Sequence, residues 1–194
     1  MNLVLSKPLI LASQSPRRKE LLALIGLPFE VDVASKFIEF TPKEIKNPQE
    51  LVRANALGKV DEVKQRHTNA FVLGVDTVVS IKGETLGKPN SPAEATEMLT
   101  KLQGEKHTVW TGVSVLDTDS GKSLSFEEET EVEFFAMTAQ EISDYIATGE
   151  PMDKAGAYAI QGLGTVHIRG IRGDFFNVVG LPLSRLMQTL KEMV

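Results

Sequence analysis

Phe71-Val-Leu-Gly-Val-Asp-Thr-Val-Val-Ser-Ile81 is the most strand-like run in the chain, and it carries a carboxylate in its middle. Its β-branched and aromatic residues predict a strand, and the near-continuous apolar character predicts a buried one. On a regular strand Gly74, Asp76, Val78 and Ser80 share one face. Phe71, Leu73, Val75, Thr77, Val79 and Ile81 share the other. Burying an unpaired carboxylate costs several kcal/mol, so Asp76 needs either partners or a task. Beside Gly74, on the less bulky face, a ligand or metal has room to approach. The alternative is an aspartate satisfied by backbone N–H groups or an arginine.

Outward from this run, helical and strand patterns alternate. Upstream, Leu9 to Ala12 reads as a short buried strand. Ser15 and Pro16 then open a helix that Gly26 ends. Residues 29–34 alternate like a strand, and a polar loop runs on to about Lys46. Asn47-Pro48-Gln49-Glu50 opens a long helix to about Arg66. Downstream, Ser91-Pro92-Ala93-Glu94 opens a helix ended by Gly104. His107 to Asp117 and Ser123 to Phe135 read as strands joined by a turn. Thr138 to Glu141 is a capping box for a helix that ends at Gly149. Residues 150–164 are glycine-rich and irregular. Two short strands and a helix from Pro182 complete the chain. The pattern predicts an α/β protein with a mixed sheet flanked by helices, in one domain over residues 1–194.

The 194 residues suffice for a sizeable core, and 42% hydrophobic with 24% charged residues is ordinary for a globular protein. No apolar run is long enough to cross a membrane. The N-terminal residues do not read as a signal peptide. Cysteine is absent, which excludes disulfides and thiolate chemistry, and the three histidines have no zinc-type spacing. A cytoplasmic enzyme fits this composition. The formal charge of −5 argues against non-specific nucleic-acid binding, so any polyanionic ligand must be held by a local cluster of cations.

Leu11-Ala-Ser-Gln-Ser-Pro-Arg-Arg18 supplies such a cluster. Arg17 and Arg18 fall in the first turn of a helix, where cations oppose the helix dipole by roughly 0.3–1 kcal/mol. A bound anion reverses that sign: free N–H groups, the Ser13 and Ser15 hydroxyls and two guanidinium forks would converge on phosphate oxygens. The alternative is a capped helix whose arginines meet solvent or nearby carboxylates. Lys88, between Gly87 and Pro89, sits on a turn from which it can reach back to the Asp76 strand. Lys59 borders the apolar stripe of the long helix (Val52, Ala56, Val60, Val63) and either snorkels or points into a cleft. In Asp153-Lys-Ala-Gly-Ala-Tyr-Ala-Ile-Gln-Gly162, small residues permit close approach to a flat ligand, and Gln161 offers both a donor and an acceptor.

Taken together, residues 11–18, 74–79, 87–89, 153–162 and Val178-Val-Gly-Leu-Pro182 resemble the Maf family of nucleoside triphosphate pyrophosphatases, in order and over nearly the whole chain. The Ile160-Gln-Gly162 form resembles the branch acting on dTTP and UTP. The resemblance implies hydrolysis of a nucleoside triphosphate, dTTP or UTP and by extension CTP, to the monophosphate and pyrophosphate. It implies an elongated, twisted mixed sheet with a cleft between two lobes, as in inosine triphosphatase, and a divalent cation, Mg²⁺ or Mn²⁺. Asp76 matches the general base. Arg17, Thr77 and Gln161 match positions tied to substrate choice. Ser13, Ser15, Arg18, Lys59 and Lys88 match other residues of the pocket. Glu39, standing where the family usually shows an acidic pair, is assigned with Asp76 to the metal. Thr77 should point away from Asp76, so for both to touch substrate the strand must end, twist or bulge there, or Thr77 must act through its backbone. Two other readings share the basic cluster: a pyrophosphatase for modified nucleotides, and a non-catalytic nucleotide-binding regulator of cell division, which needs neither Asp76 nor a metal. The oligomeric state stays open, with a homodimer among the options.

Overall fold

The computed structural model describes residues 4–194. In chain order the elements are β1 (Leu9–Leu11), α1 (Pro16–Leu24), β2 (Glu30–Val31), α2 (Pro48–Val63), β3 (Phe71–Ile81), β4 (Glu84–Leu86), α3 (Pro92–Leu102), β5 (Lys106–Asp117), β6 (Ser123–Phe134), α4 (Ala139–Ala147), β7 (Ile168–Arg172), α5 (Phe175–Val179) and α6 (Leu183–Met193). The helix starts follow local chemistry. Asn47 accepts from the amides of Gln49 and Glu50, and Ser91 accepts from Glu94. Thr138 and Glu141 form the expected capping box.

The seven strands form one mixed sheet in the order β2–β1–β3–β5–β6–β7, with β4 also on β3. β2, β1 and β3 run parallel, and β3, β5, β6 and β7 are successively antiparallel. The edge of β3 away from β5 is shared. β1 covers it from Phe71 to Leu73, and β4 covers it from Val79 to Ile81. Among the described residues, 74–78 have no strand partner on that edge, while the opposite edge pairs with β5 in unbroken register from Phe71 to Ser80.

One face of β3 is divided between two cores. Toward its start, Leu9, Leu22, Phe71, Leu73, Val115, Leu186 and Leu190 pack together under α1 and α6. Toward its end, Val79, Ile81, Leu99, Leu102, Val132, Phe134 and Tyr145 pack under α3 and α4. The other face is covered by α2, through Val60 and Val63 on Val72 and through Leu51 and Val52 on Val78. α2 lies directly on the sheet at two glycines. A Cβ on Gly74 would stand 2.1 Å from the Ala56 carbonyl oxygen, and one on Gly112 would stand 2.5 Å from Val52 backbone atoms.

Three sequence expectations change, and one strand is added. The space beside Gly74 is filled by the α2 backbone, not left for a ligand. The strand expected over residues 29–34 shrinks to Glu30–Val31, because the ladder with β1 holds only those residues and ends with the Asp32 amide donating to the Leu11 carbonyl at 3.2 Å. A three-residue strand, β4, follows β3, too short to leave a periodic signal. The second of the two late strands is the short helix α5, capped by the Asp174 side chain on the Phe176 amide.

Candidate active site

A cleft of 690 Å³ opens where β3 lacks a partner, between the two cores. All ten residues singled out in the sequence line it: Ser13, Ser15, Arg17, Arg18, Glu39, Lys59, Asp76, Thr77, Lys88 and Gln161. The open edge also resolves the conflict over Thr77. β3 neither bulges nor ends there. With no strand beside residues 74–78, the cleft reaches both faces of β3, so Asp76 and Thr77 line it from opposite sides.

Asp76 is buried, and each of its carboxylate oxygens has one hydrogen-bond donor. Its Oδ1 accepts from Lys59 Nζ at 2.9 Å, and its Oδ2 accepts from Asn55 Nδ2 at 3.0 Å. Lys59, also buried, donates to Asp76 and to the Val75 carbonyl at 3.0 Å and forms an ion pair with Glu39 Oε1 at 2.8 Å. Both α2 side chains reach Asp76 because the glycine contacts bring the helix backbone onto the sheet. Asn55 also accepts from the Phe40 amide at 2.7 Å and donates to the Phe40 carbonyl at 3.1 Å. One amide thus ties the loop that carries Glu39 to the strand that carries Asp76. Partial burial pushes the Glu39 carboxyl up, but Lys59, with Lys88 and Arg18 beyond it, outweighs this and holds it below its ordinary value.

On the opposite side the two arginines divide. Arg18 is buried and points inward. It donates to the Gly180 carbonyl (3.0 Å), Ser13 Oγ (2.9 Å), the Val75 carbonyl (3.0 Å) and Thr77 Oγ1 (3.1 Å). Those bonds occupy four of its five N–H groups, and burial lowers its pKa to about 10. Arg17 is the outer guanidinium, 3.3 Å from Asp153 Oδ2. Ser15 occupies the N-cap position of α1, yet its hydroxyl caps no amide. The first-turn amides of α1 are therefore not consumed by a side-chain cap. Thr77 Oγ1 bonds Thr111 Oγ1 at 2.9 Å, and Thr111 in turn donates to the Asn177 carbonyl at 3.2 Å.

The far wall is the loop from Asp153 to Gln161, joined to the Lys88 turn by the Gly156 amide donating to the Gly87 carbonyl at 2.9 Å. Tyr158 lines the cleft with its hydroxyl 2.8 Å from His107 Nε2. Arg17, Arg18, Lys59, Lys88 and Lys154 face the cleft with Glu39, Asp76 and Asp153. This is a local positive surplus in a chain of formal charge −5.

Asn55, Asp153, Lys154 and Tyr158 escaped the sequence reading as individual site residues. The last three stand inside the quoted loop motif. Asn55 has no local signal, because its role depends on where α2 lands.

Fold and site define a mixed α/β protein whose cleft sets surplus positive charge around a buried carboxylate at an unpaired strand edge. The chain belongs to the family described as Maf-like protein, whose model matches residues 8–193. A dTTP/UTP pyrophosphatase of Bacillus cereus (strain ATCC 10987 / NRS 248) is 47% identical over 186 residues, covering 96% of this chain and 90% of that protein. A dTTP/UTP pyrophosphatase of Bacillus mycoides (strain KBAB4) is 46% identical, covering 96% and 95%. Among solved structures, the Staphylococcus aureus Ham1 protein is similar with a TM-score of 0.46 and 17% identity over 84% of this chain and 80% of that chain.

Proposed function

We propose that this protein is a nucleoside triphosphate pyrophosphatase that hydrolyses dTTP and UTP to the monophosphate and pyrophosphate, acting in the cytoplasm. The observation that carries the reading is the cluster at the open edge of β3, where Asp76 is held by Lys59 and Asn55 across from Arg17 and the start of α1. The relatives at 46–47% identity, each named a dTTP/UTP pyrophosphatase, support the substrate.

The triphosphate brings about four negative charges, and attack at the α-phosphorus adds charge to the leaving pyrophosphate. Arg17, Lys88 and the first-turn amides of α1 take phosphate oxygens. Arg18, with one N–H uncommitted, chiefly fixes Ser13, Val75 and Thr77 around them. Asp76 accepts the proton of the attacking water on a carboxylate lone pair that neither Lys59 nor Asn55 uses. Lys59 keeps Asp76 oriented and its charge compensated. Gln161 meets the O4 and N3–H edge of uracil or thymine.

The residues present fit a hard divalent cation. Glu39 and Asp76 already converge on one cationic group, Lys59 Nζ, at 2.8 and 2.9 Å. Two carboxylates with phosphate oxygens and water are a usual Mg²⁺ donor set. Glu39 and Asp76 would hold it, and bound Mg²⁺ or Mn²⁺ supplies Lewis-acid activation of water.

The test is pyrophosphate release from a panel of NTPs and dNTPs with Mg²⁺, Mn²⁺ or EDTA. Turnover of dTTP and UTP ahead of purine nucleotides, abolished by EDTA, is the expected result. Equal turnover of all bases sinks the specificity, and no turnover of any sinks the enzyme. Faster hydrolysis of modified nucleotides than of dTTP or UTP would move the assignment to a nucleotide-sanitising role.

A further inference from the structure

Gln161 makes no hydrogen bond of its own among the described residues, and its backbone lies in an exposed loop. A side chain that selects one base edge over another must nevertheless be held to within a fraction of an ångström. The structure shows what holds it. Two residues before Gln161, the Ala159 amide donates to Tyr145 Oη at 3.1 Å. Two and three residues after it, the amides of Leu163 and Gly164 donate to Glu150 Oε2 and Oε1, each at 2.9 Å. The Tyr145 hydroxyl donates to Glu150 Oε1 at 2.8 Å, which joins the two anchors. Gly162, next to Gln161, lies against the same carboxylate: a Cβ there would stand 2.3 Å from Glu150 Oε2, and its φ of +120° suits glycine. Tyr145 itself is buried in the core under α4.

We infer that Glu150 and Tyr145 form a staple that fixes the position of Gln161, and so act as positioning residues for base selection in the proposed pyrophosphatase reaction. They clamp the loop from behind, and they are absent from the cleft wall. The inference rests on the proposed function, since it assumes that Gln161 reads the base. The carboxylate is kept ionised by its donors: burial pushes Glu150 up, but the Leu163 and Gly164 amides and the Tyr145 hydroxyl outweigh that and hold it below its ordinary value. An amide at this position turns one acceptor into a donor facing a backbone N–H, which cannot be satisfied.

The experiment compares wild type, Glu150→Gln and Tyr145→Phe in steady-state turnover of UTP and of CTP, whose base edge differs at N3 and C4. Amide hydrogen exchange at Leu163 and Gly164 is measured on the same samples. Glu150→Gln is expected to lower kcat/KM for UTP by about ten- to a hundredfold, mostly through KM. It should leave CTP turnover near the wild-type value and speed exchange at both amides. Tyr145→Phe keeps the carboxylate and should shift the UTP-to-CTP ratio in the same direction by less. If both variants keep the wild-type ratio, the inference fails while the proposed function stands. Equal loss for UTP and CTP also overturns it, because the staple then shapes the whole cleft instead of selecting a base. A wild-type enzyme that does not favour UTP over CTP overturns the inference together with base reading by Gln161, with pyrophosphate release from UTP showing whether the reaction itself survives.

Discussion

Asp76 is held by residues far from it in sequence: Asn55 and Lys59 on α2, with Glu39 reached through Lys59. Removing its charge while keeping its shape tests its role most directly. Asp76→Asn sets an amide N–H against the Lys59 or Asn55 donor, so it should cost about 1–3 kcal/mol of stability and lower kcat by about 10²–10⁴-fold, the range a lost general base gives. Unchanged turnover would remove Asp76 from the general-base role. Asp76 stood out in the sequence because a carboxylate inside an apolar strand is expensive without partners. Arg17 and Arg18 stood out too, since two cations at a helix start oppose the dipole. Their division of labour did not, because a sequence gives residue types and not which carbonyl each guanidinium meets. Arg18 is committed to Gly180, far along the chain. Asn55 was invisible for the same reason: an asparagine in a helical run looks like a solvent residue until the sheet beneath it is known.

At the scale of elements, the site depends on how closely α2 approaches β3 and β5. Gly74 and Gly112 set that distance by having nothing to interpose. Gly74→Ala should therefore push α2 off the sheet and cost about 1–3 kcal/mol, the usual range for overpacking. The same shift pulls Lys59 and Asn55 from Asp76, so activity should fall by more than the stability loss explains. Urea unfolding and turnover on the same variant check this, and a fully active Gly74→Ala protein would show that the contact does not set the site. The long elements were legible because periodicity and caps accumulate over many residues: α2, β3, α3, β5, β6 and α4 stand within a few residues of their expected bounds. The unpaired window on β3 was not legible. It depends on where β1 stops and where β4, three residues long, begins. Strand alternation alone leaves Thr77 facing away from Asp76 unless the strand ends, twists or bulges or Thr77 acts through its backbone, and the structure supplies a gap in the neighbouring strands instead.

Across the whole molecule, β3 and β5 run continuously through both cores, so the halves on either side of the cleft share a backbone. A charge buried in one core should therefore register in the stability of the entire chain, as a single unfolding transition. His107 provides that test. It is buried beside Phe134 and Tyr158, with ring centroids at 5.1 and 5.3 Å, and its Nδ1 has no partner among the described residues. Burial pushes its pKa down to about 4, against an ordinary value near 6.5. Above pH 6.5 the ring is neutral in both folded and unfolded chains, and the full stability is present. As pH falls from 6.5 toward 4, the unfolded chain takes the proton first, and stability drops at up to about 1.4 kcal/mol per pH unit. The depressed carboxylates act in a lower window: Asp32, pulled to about 2 mainly by Arg66, loses its contribution only below about pH 4. His107→Gln offers the Tyr158 hydroxyl either a donor or an acceptor and cannot titrate. Between pH 7 and pH 4.5 the wild type should lose about 2–3 kcal/mol more than this variant in urea unfolding. Parallel losses in the two proteins would place the acid-sensitive proton elsewhere, and two separate transitions would show that the cores on either side of the cleft do not unfold together.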